Sequence, residues 1–427
     1  MARDVVQVQG VVPAAPDAVW SVVRDFCGAW HPWVTSMREE RGPQGARVRA
    51  FAVAGEDTLY REQQTYLSDS DRVLGYTHLQ GIAGCEAYDA RLTVTPSEAG
   101  GSSIGWTATV RASAAQLGPI CEGTRAVYKA GIAALAGATL TERQAPALPA
   151  PVPVEPLILD ALPRLALTVT PDRGDGRLCL FLHGIGGGRS NWLPQLQAAG
   201  SVMRAAALDL RGYGDSTLGP RQSGVDDYCA DILRVAERLG AARLVLIGLS
   251  YGSWIATSFA MRHPGMLDGL VLSGGCTGMS EAGPDERGAF RLSREVPLDA
   301  GQVPADFAPA VVRVLAGPGA DQATRQALQD SMAAIPAATY RDALRCFTNP
   351  LERFDFARLT MPVLMMTGEH DRLAPPAEIR GVAGRIWDAG PRPDVRFEVI
   401  PGAGHVCNVE EPQVYARHLS EFLARLA

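Results

Sequence analysis

Lysine is almost missing from this sequence. Lys129 is the only one, and arginine carries the rest of the basic charge. Beside abundant Ala, Gly and Pro, that is the codon habit of a GC-rich bacterial genome and bears little on function. Clustered cysteine is missing too: Cys27, Cys85, Cys121, Cys179, Cys229, Cys276, Cys346 and Cys407 never form a C-x-x-C. Several fall inside apolar strand patterns, so buried free thiols in a reducing compartment are expected. There is no basic excess, the net charge being −6, which gives no reason to expect nucleic acid or an anionic membrane as partner. The opening segment MARDVVQVQG lacks the apolar stretch of a secretory signal. One uncharged run, Leu244 to Met261, is as long as a membrane span, but Gly248, Ser250, Gly252 and Ser253 interrupt it. A strand, turn and helix through a protein core explain it better, and a cytoplasmic protein is expected.

What remains is a globular composition, 47% hydrophobic and 20% charged over 427 residues, which predicts two domains. The Pro/Ala-rich stretch TERQAPALPAPVPVEP, residues 141–156, reads as an extended linker between a first domain at 1–140 and a second at 157–427. In the first, VVQVQGVV alternates as a strand does. Pro16 and Asp17 suit a helix first turn, and Val19, Val22, Val23 and Phe26 continue at helical spacing. Strands are expected at 46–54, 60–67, 73–79, 88–95 and 104–111, then a long helix at 114–140.

The order strand, helix, antiparallel strands, long helix, with the opening VPAAPDAVWSVVRDFCGAWHPWV, resembles the helix-grip fold of START-like and polyketide cyclase-like (SRPBCC) proteins. The resemblance implies an α+β domain with an apolar ligand cavity between sheet and long helix. His31, Tyr76, His78, Tyr88 and Trp106 are its polar and aromatic candidates. No carboxylate–histidine pairing is legible there, and no chemistry is assigned to it.

From Leu165 onward, apolar runs alternate with helical patterns, which implies a mostly parallel sheet covered on both faces. Strands are expected at 178–182, 205–208, 244–247, 270–272, 363–367 and 395–400, and helices at 225–239, 253–262, 376–387 and 412–426. Gly248-Leu249-Ser250-Tyr251-Gly252 follows a strand and opens a helix. Only a tight turn needs glycine on both sides of a serine, and such a turn presents the hydroxyl above the sheet as a nucleophile. An alcohol needs a base, and the base an orienting acid. Asp371 in PVLMMTGEHDRLAPP and His405 in FEVIPGAGHVCNVEEP each stand just past a strand; Glu369 and His370 are the local competitors. The expected catalytic residues are Ser250, Asp371 and His405. In LFLHGIGGGRSNW, backbone N–H groups of Ile185 and Tyr251 are the expected oxyanion donors. Gly186-Gly187-Gly188 lacks the Lys-Ser/Thr of a phosphate loop, and His183 reads as a structural hydrogen bonder.

These motifs, with DLRGYGDS at 209–216, resemble the α/β-hydrolase superfamily, closest in look to 3-oxoadipate enol-lactonases and carboxylesterases. The histidine loop carries His405, Asn408, Glu410 and Pro412 in the pattern H-x-x-N-x-E-x-P. Serine at the elbow argues against the Asp-using dehalogenases and epoxide hydrolases. Val406 stands where meta-cleavage C–C hydrolases usually carry Trp. Residues from about 276 to 353 break the β/α rhythm and imply a helical cap over the pocket. The resemblance implies a serine hydrolase acting on an ester or lactone of a small, largely apolar molecule, with no cofactor and no metal. A C–C bond hydrolase or cofactor-free lyase using the same triad and a non-catalytic ligand receptor are the alternatives. The partner is a small-molecule substrate, not nucleic acid or membrane, and a homo-oligomer is allowed.

Overall fold

Alternating burial shapes the first part of the chain. The computed structural model describes residues 1–42, 45–141, 147–349, 353–389 and 393–426. Strand β1 (Ala2–Val12) turns Val6, Val8 and Val12 inward. Helix α1 (Pro16–Val23) has Pro16 in its first turn and Asp17 near its positive end, and it buries Val19, Trp20 and Val23. Strands β2 (Val34–Arg41), β3 (Arg47–Val53), β4 (Leu59–Ser68), β5 (Val73–Gln80), β6 (Cys85–Pro96) and β7 (Ser102–Ala112) precede a long helix, α2 (Ala114–Gly137). All pair antiparallel in the order β1-β7-β6-β5-β4-β3-β2. From α2, Ile120, Tyr128, Ile132 and Leu135 enter the same core as Trp106, Val110 and Leu92. Each such side chain contributes roughly 1.5–3 kcal/mol by leaving water. The α+β helix-grip arrangement is as expected. Strand β2 was not: VTSMREER is half charged, and it pairs only with β3, so most of its side chains stay in water and no apolar alternation marks it.

The second part is built from buried parallel strands. Two antiparallel strands lead in, β8 (Glu155–Leu159) and β9 (Leu165–Val169). Then come β10 (Arg177–Leu182), α3 (Leu193–Gly200), β11 (Ala205–Asp209), α4 (Val225–Arg238), β12 (Arg243–Leu249), α5 (Tyr251–Arg262) and β13 (Leu267–Ser273). Four helices follow, α6 (Pro284–Asp299), α7 (Pro304–Leu315), α8 (Gln322–Ala333) and α9 (Ala337–Phe347). The chain ends with β14 (Val363–Gly368), α10 (Pro376–Asp388), β15 (Val395–Ile400), α11 (Cys407–Glu410) and α12 (Pro412–Leu426). The order is β14-β13-β12-β10-β11-β9-β8, parallel from β14 to β11. Every residue of β11 is buried, as are Leu244 to Leu249 of β12, the mark of a sheet covered on both faces. This is the expected mostly parallel fold. Strands β8 and β9 went unread; β8 begins inside the expected linker, of which residues 142–146 lie outside the described residues.

The chain divides into one unit of Met1–Pro146 with Arg392–Glu398 and another of Ala147–Pro391 with Val399–Ala427. The continuous boundaries expected from sequence assign 392–398 to the second domain. In the structure, Val395 and Arg396 pair in parallel with Tyr66 and Leu67. Asp394 accepts from Gln64 Nε2 at 2.9 Å, and Glu398 accepts from the Asp69 and Ser70 N–H groups at 3.0–3.1 Å. All eight cysteines are free thiols, and no helix among the described residues is long and apolar enough to cross a membrane.

Candidate active site

Strand β12 runs directly into α5 through one residue, Ser250. Its φ is +55° and ψ −113°, a region that residues with a Cβ seldom occupy and that marks a constrained turn. The glycines on either side are forced by contact. A Cβ on Gly248 would overlap the Gly252 carbonyl, and one on Gly252 would overlap the Leu182 carbonyl of the neighbouring strand. The turn is pinned from below: the Ser250 N–H donates to Ser273 O at 2.7 Å. The Ser253 hydroxyl lies 2.8 Å from the Gly248 and Ser273 carbonyl oxygens.

Past β14, the chain turns at Asp371, which is buried. Its carboxylate accepts from the Leu373 and Ala374 N–H groups at 2.8 and 2.9 Å and lies 2.9–3.0 Å from His405 Nδ1. Burial pushes this carboxyl up, but the His405 hydrogen bond, its charge and the two backbone donors outweigh burial, so the group sits below its ordinary range. A carboxylate at Nδ1 fixes the proton there and leaves Nε2 as the basic atom. His405 is buried, with its own N–H donating to Leu315 O at 2.7 Å. Gly274 makes room for the ring: its φ is +59°, and a Cβ there would stand 3.1 Å from His405 Cε1.

The histidine loop has its own scaffold. Glu410 accepts from the N–H groups of Gly317 (2.6 Å), Gly404 (2.9 Å) and Val406 (3.2 Å). Asn408 Nδ2 donates to Asn191 O at 2.9 Å. Of the local competitors, Glu369 and His370 are exposed, and neither lines the cavity described below.

The loop after β10 lies against the serine. A Cβ on Gly184 would sit 3.3 Å from Ser250 Cβ, so Ile185 enters the site on a backbone in close contact with the elbow. Tyr251 opens α5, and its N–H is among the first helical donors, which have no acceptor inside the helix. His183 is occupied at both ring nitrogens, Nδ1 with Gly184 O at 2.8 Å and Nε2 accepting from Leu210 N–H at 3.0 Å. Burial holds this imidazole below its usual range, as suits a neutral structural ring.

Ser250, His405 and Ile185 line one cavity of about 560 Å³. The four helices between β13 and β14 supply much of its wall, mostly apolar, including Phe290, Phe307 and Met332. Two polar residues on the same wall, Arg294 and Tyr340, were not signalled by the sequence. Nothing in a helical pattern of mixed charge distinguishes an arginine facing a cavity from one facing water.

The candidates of the first unit gather in its own core. Trp106 Nε1 donates to Tyr76 Oη at 3.0 Å, and the Tyr88 and Tyr128 hydroxyls are 2.6 Å apart. Trp106 stacks on Tyr128 with ring centroids 4.2 Å apart. His78 stands edge-on to Tyr88, while His31 Nε2 is 3.0 Å from Val127 O. An ion pair the sequence did not signal, Arg49 with Glu62 at 2.5 Å, is nearly buried in the same unit.

Residues 179–418, more than half the chain, match the model of the alpha/beta hydrolase family. The chain belongs to that family. Residues 3–138 match the model described as polyketide cyclase / dehydrase and lipid transport. Among curated proteins, this hydrolase is similar to one named "Putative carbamate hydrolase RutD" from Shigella flexneri. The two are 25% identical over 263 residues, spanning 60% of this chain and 95% of that one. Among solved structures it is similar to a malate-bound thermophilic esterase from Thermogutta terrifontis. That match has a TM-score of 0.54 and 25% identity, covering 64% of this chain and 99% of that one. The enol-lactonase from Burkholderia xenovorans LB400 shares the fold, with TM-score 0.51, 20% identity, and 61% and 96% covered. An α/β-hydrolase enzyme carrying an SRPBCC-type N-terminal domain is therefore established.

Proposed function

We propose that the protein is a serine hydrolase that cleaves an ester or (enol-)lactone of a small, largely apolar substrate through an acyl-enzyme. The observation that carries this reading is the buried His405–Asp371 pair at 2.9 Å, whose histidine lines the same cavity as the elbow serine. Ser250 Oγ attacks the carbonyl carbon while His405 Nε2 takes its proton. The negative oxygen that forms is held by the N–H groups of Ile185 and Tyr251. Collapse of the tetrahedral adduct breaks the bond to the leaving oxygen, which His405 protonates. Water then attacks the acyl-enzyme with His405 as base again. Asp371 keeps its charge throughout, its carboxyl being depressed, and stabilises the imidazolium. The similarity to an esterase at 25% identity supports ester chemistry. The N-terminal domain, at residues 1–140, binds or positions an apolar ligand in this reading.

A panel of acyl esters, lactones and vinylogous diketones offered to the full-length protein tests it. Turnover of esters or lactones is expected, with a burst of released alcohol or phenol, equal to the enzyme present, from activated esters. Turnover confined to the diketones would replace acyl transfer with C–C cleavage.

A further inference from the structure

Among the described residues that line the cavity, Arg294 is the only Arg or Lys and Glu378 the only carboxylate. They are not a pair. Glu378 is exposed, and the charged groups acting on it are two other acids, Asp371 and Glu281. Arg294 has no carboxylate within ion-pair distance among the described residues. The neighbouring arginines differ. Arg291, Arg341 and Arg345 all gather on Glu295, with Arg345 Nε at 2.7 Å, and Arg341 also reaches Asp299 at 2.8 Å. Arg294 stands on α6 with Arg291 and Glu295, but on the wall of the cavity.

Its polar contacts leave capacity unused. One guanidinium nitrogen donates to Phe290 O at 3.0 Å and to Ser293 Oγ at 3.2 Å, and the group lies 3.6 Å from the centre of the Phe290 ring. A guanidinium has five N–H donors. Across from it, on α9, stands the buried Tyr340, whose hydroxyl adjoins Arg294 and which lines the same cavity. Burial holds Arg294 below its ordinary value, the cost of keeping a charge among apolar side chains without a counter-ion. An anion placed between Arg294 and Tyr340 would offset that cost with charge-assisted hydrogen bonds.

We propose that Arg294 and Tyr340 form a carboxylate subsite, so that the preferred substrate is an ester or lactone whose apolar body carries a free carboxylate away from the scissile bond. This rests on the serine-hydrolase reading for the reaction but not for the binding. Two measurements on the full-length protein separate the two. The first compares kcat/KM for mono-4-nitrophenyl esters of glutaric, adipic and suberic acid with the esters whose distal carboxylate is replaced by carboxamide. At one chain length or more, the acid should be favoured about 10- to 100-fold, the scale of a hydrogen bond to a charged group. Arg294→Gln should bring that ratio close to one, and Arg294→Lys should keep part of it. The second titrates hexanoate against hexanamide calorimetrically, with no turnover involved. Hexanoate should bind at least about tenfold tighter, and Arg294→Gln should abolish the preference. Equal binding of the two, or a hexanoate preference that survives in folded Arg294→Gln, overturns the subsite whatever Ser250 does. Should that variant not fold, a wild-type preference for the amide compounds does so. A hexanoate preference lost in Arg294→Gln, with no ester turned over, would support the subsite and instead refute the hydrolase reading.

Discussion

The protein holds two buried polar constellations built in opposite ways. In the hydrolase, Ser250, Asp371 and His405 stand on turns just past β12, β14 and β15, where backbone must bend sharply and glycines are forced. In the first unit, Arg49, Glu62, Tyr76 and Tyr88 stand in the middle of strands β3 to β6, and Tyr128 on a helix. Arg49 and Glu62 face each other in register across two strands. They need no special backbone, only the ordinary alternation of a sheet. The first arrangement brings Ser250 and His405 to the wall of one cavity, with Asp371 behind the imidazole. The second fills a core, with its hydroxyls and its charges satisfied by one another. In the proposed function, polar groups at strand ends serve reactivity, while polar groups within strands serve cohesion.

Changing one member of each set should separate activity from stability. Ser250→Ala is expected to lower kcat by about 10⁶ with the urea midpoint unchanged. Asp371→Asn should lower kcat by about 10⁴, because an amide cannot hold the imidazole in the required tautomer. It should also alter acid stability. A carboxyl depressed in the folded state contributes stability that is complete above the unfolded pKa of about 3.9 and is lost as pH falls through its lower folded value. Urea titrations at pH 5 and pH 3 should show that loss in the wild type and less of it in Asp371→Asn.

The contrasting changes lie in the first unit. Glu62→Leu leaves Arg49 buried without its partner and should cost about 3–5 kcal/mol in urea denaturation, with esterase activity per folded molecule kept. Adding Arg49→Met should recover much of that loss, since apolar packing replaces the pair. Loss of turnover in Glu62→Leu at unchanged stability would erase the distinction between the two constellations. Tyr88→Phe removes one hydroxyl from a 2.6 Å contact and should cost only about 1 kcal/mol.

The same contrast explains what was legible in the sequence. The elbow announces itself because Gly248 and Gly252 are sterically forced, and Asp371 and His405 were candidates because each stands just past a strand-like run. The parallel strands β10 to β14 were readable as uncharged runs. Strand β2 was hidden by its charges, and β8 by the prolines around it. Glu62 and Arg49 were invisible because a buried ion pair in mid-strand has the sequence of an exposed one. Nothing local shows that Arg396 and Glu398 are fully buried, since besides each other they meet Asp69 and Ser70, which come from more than three hundred residues earlier. Arg294 escaped for a similar reason: its helix carries several arginines, and only the fold distinguishes the one on the cavity wall.

The central claim is that Ser250 is a nucleophile made reactive by the His405–Asp371 pair. Labelling the full-length protein with a fluorophosphonate and sequencing the modified peptide by mass spectrometry tests it most directly. One adduct is expected per chain, on Ser250, forming on the order of 10⁴-fold more slowly in Asp371→Asn and absent from Ser250→Ala. An adduct on a different serine, or labelling at the same rate without Asp371, would contradict it.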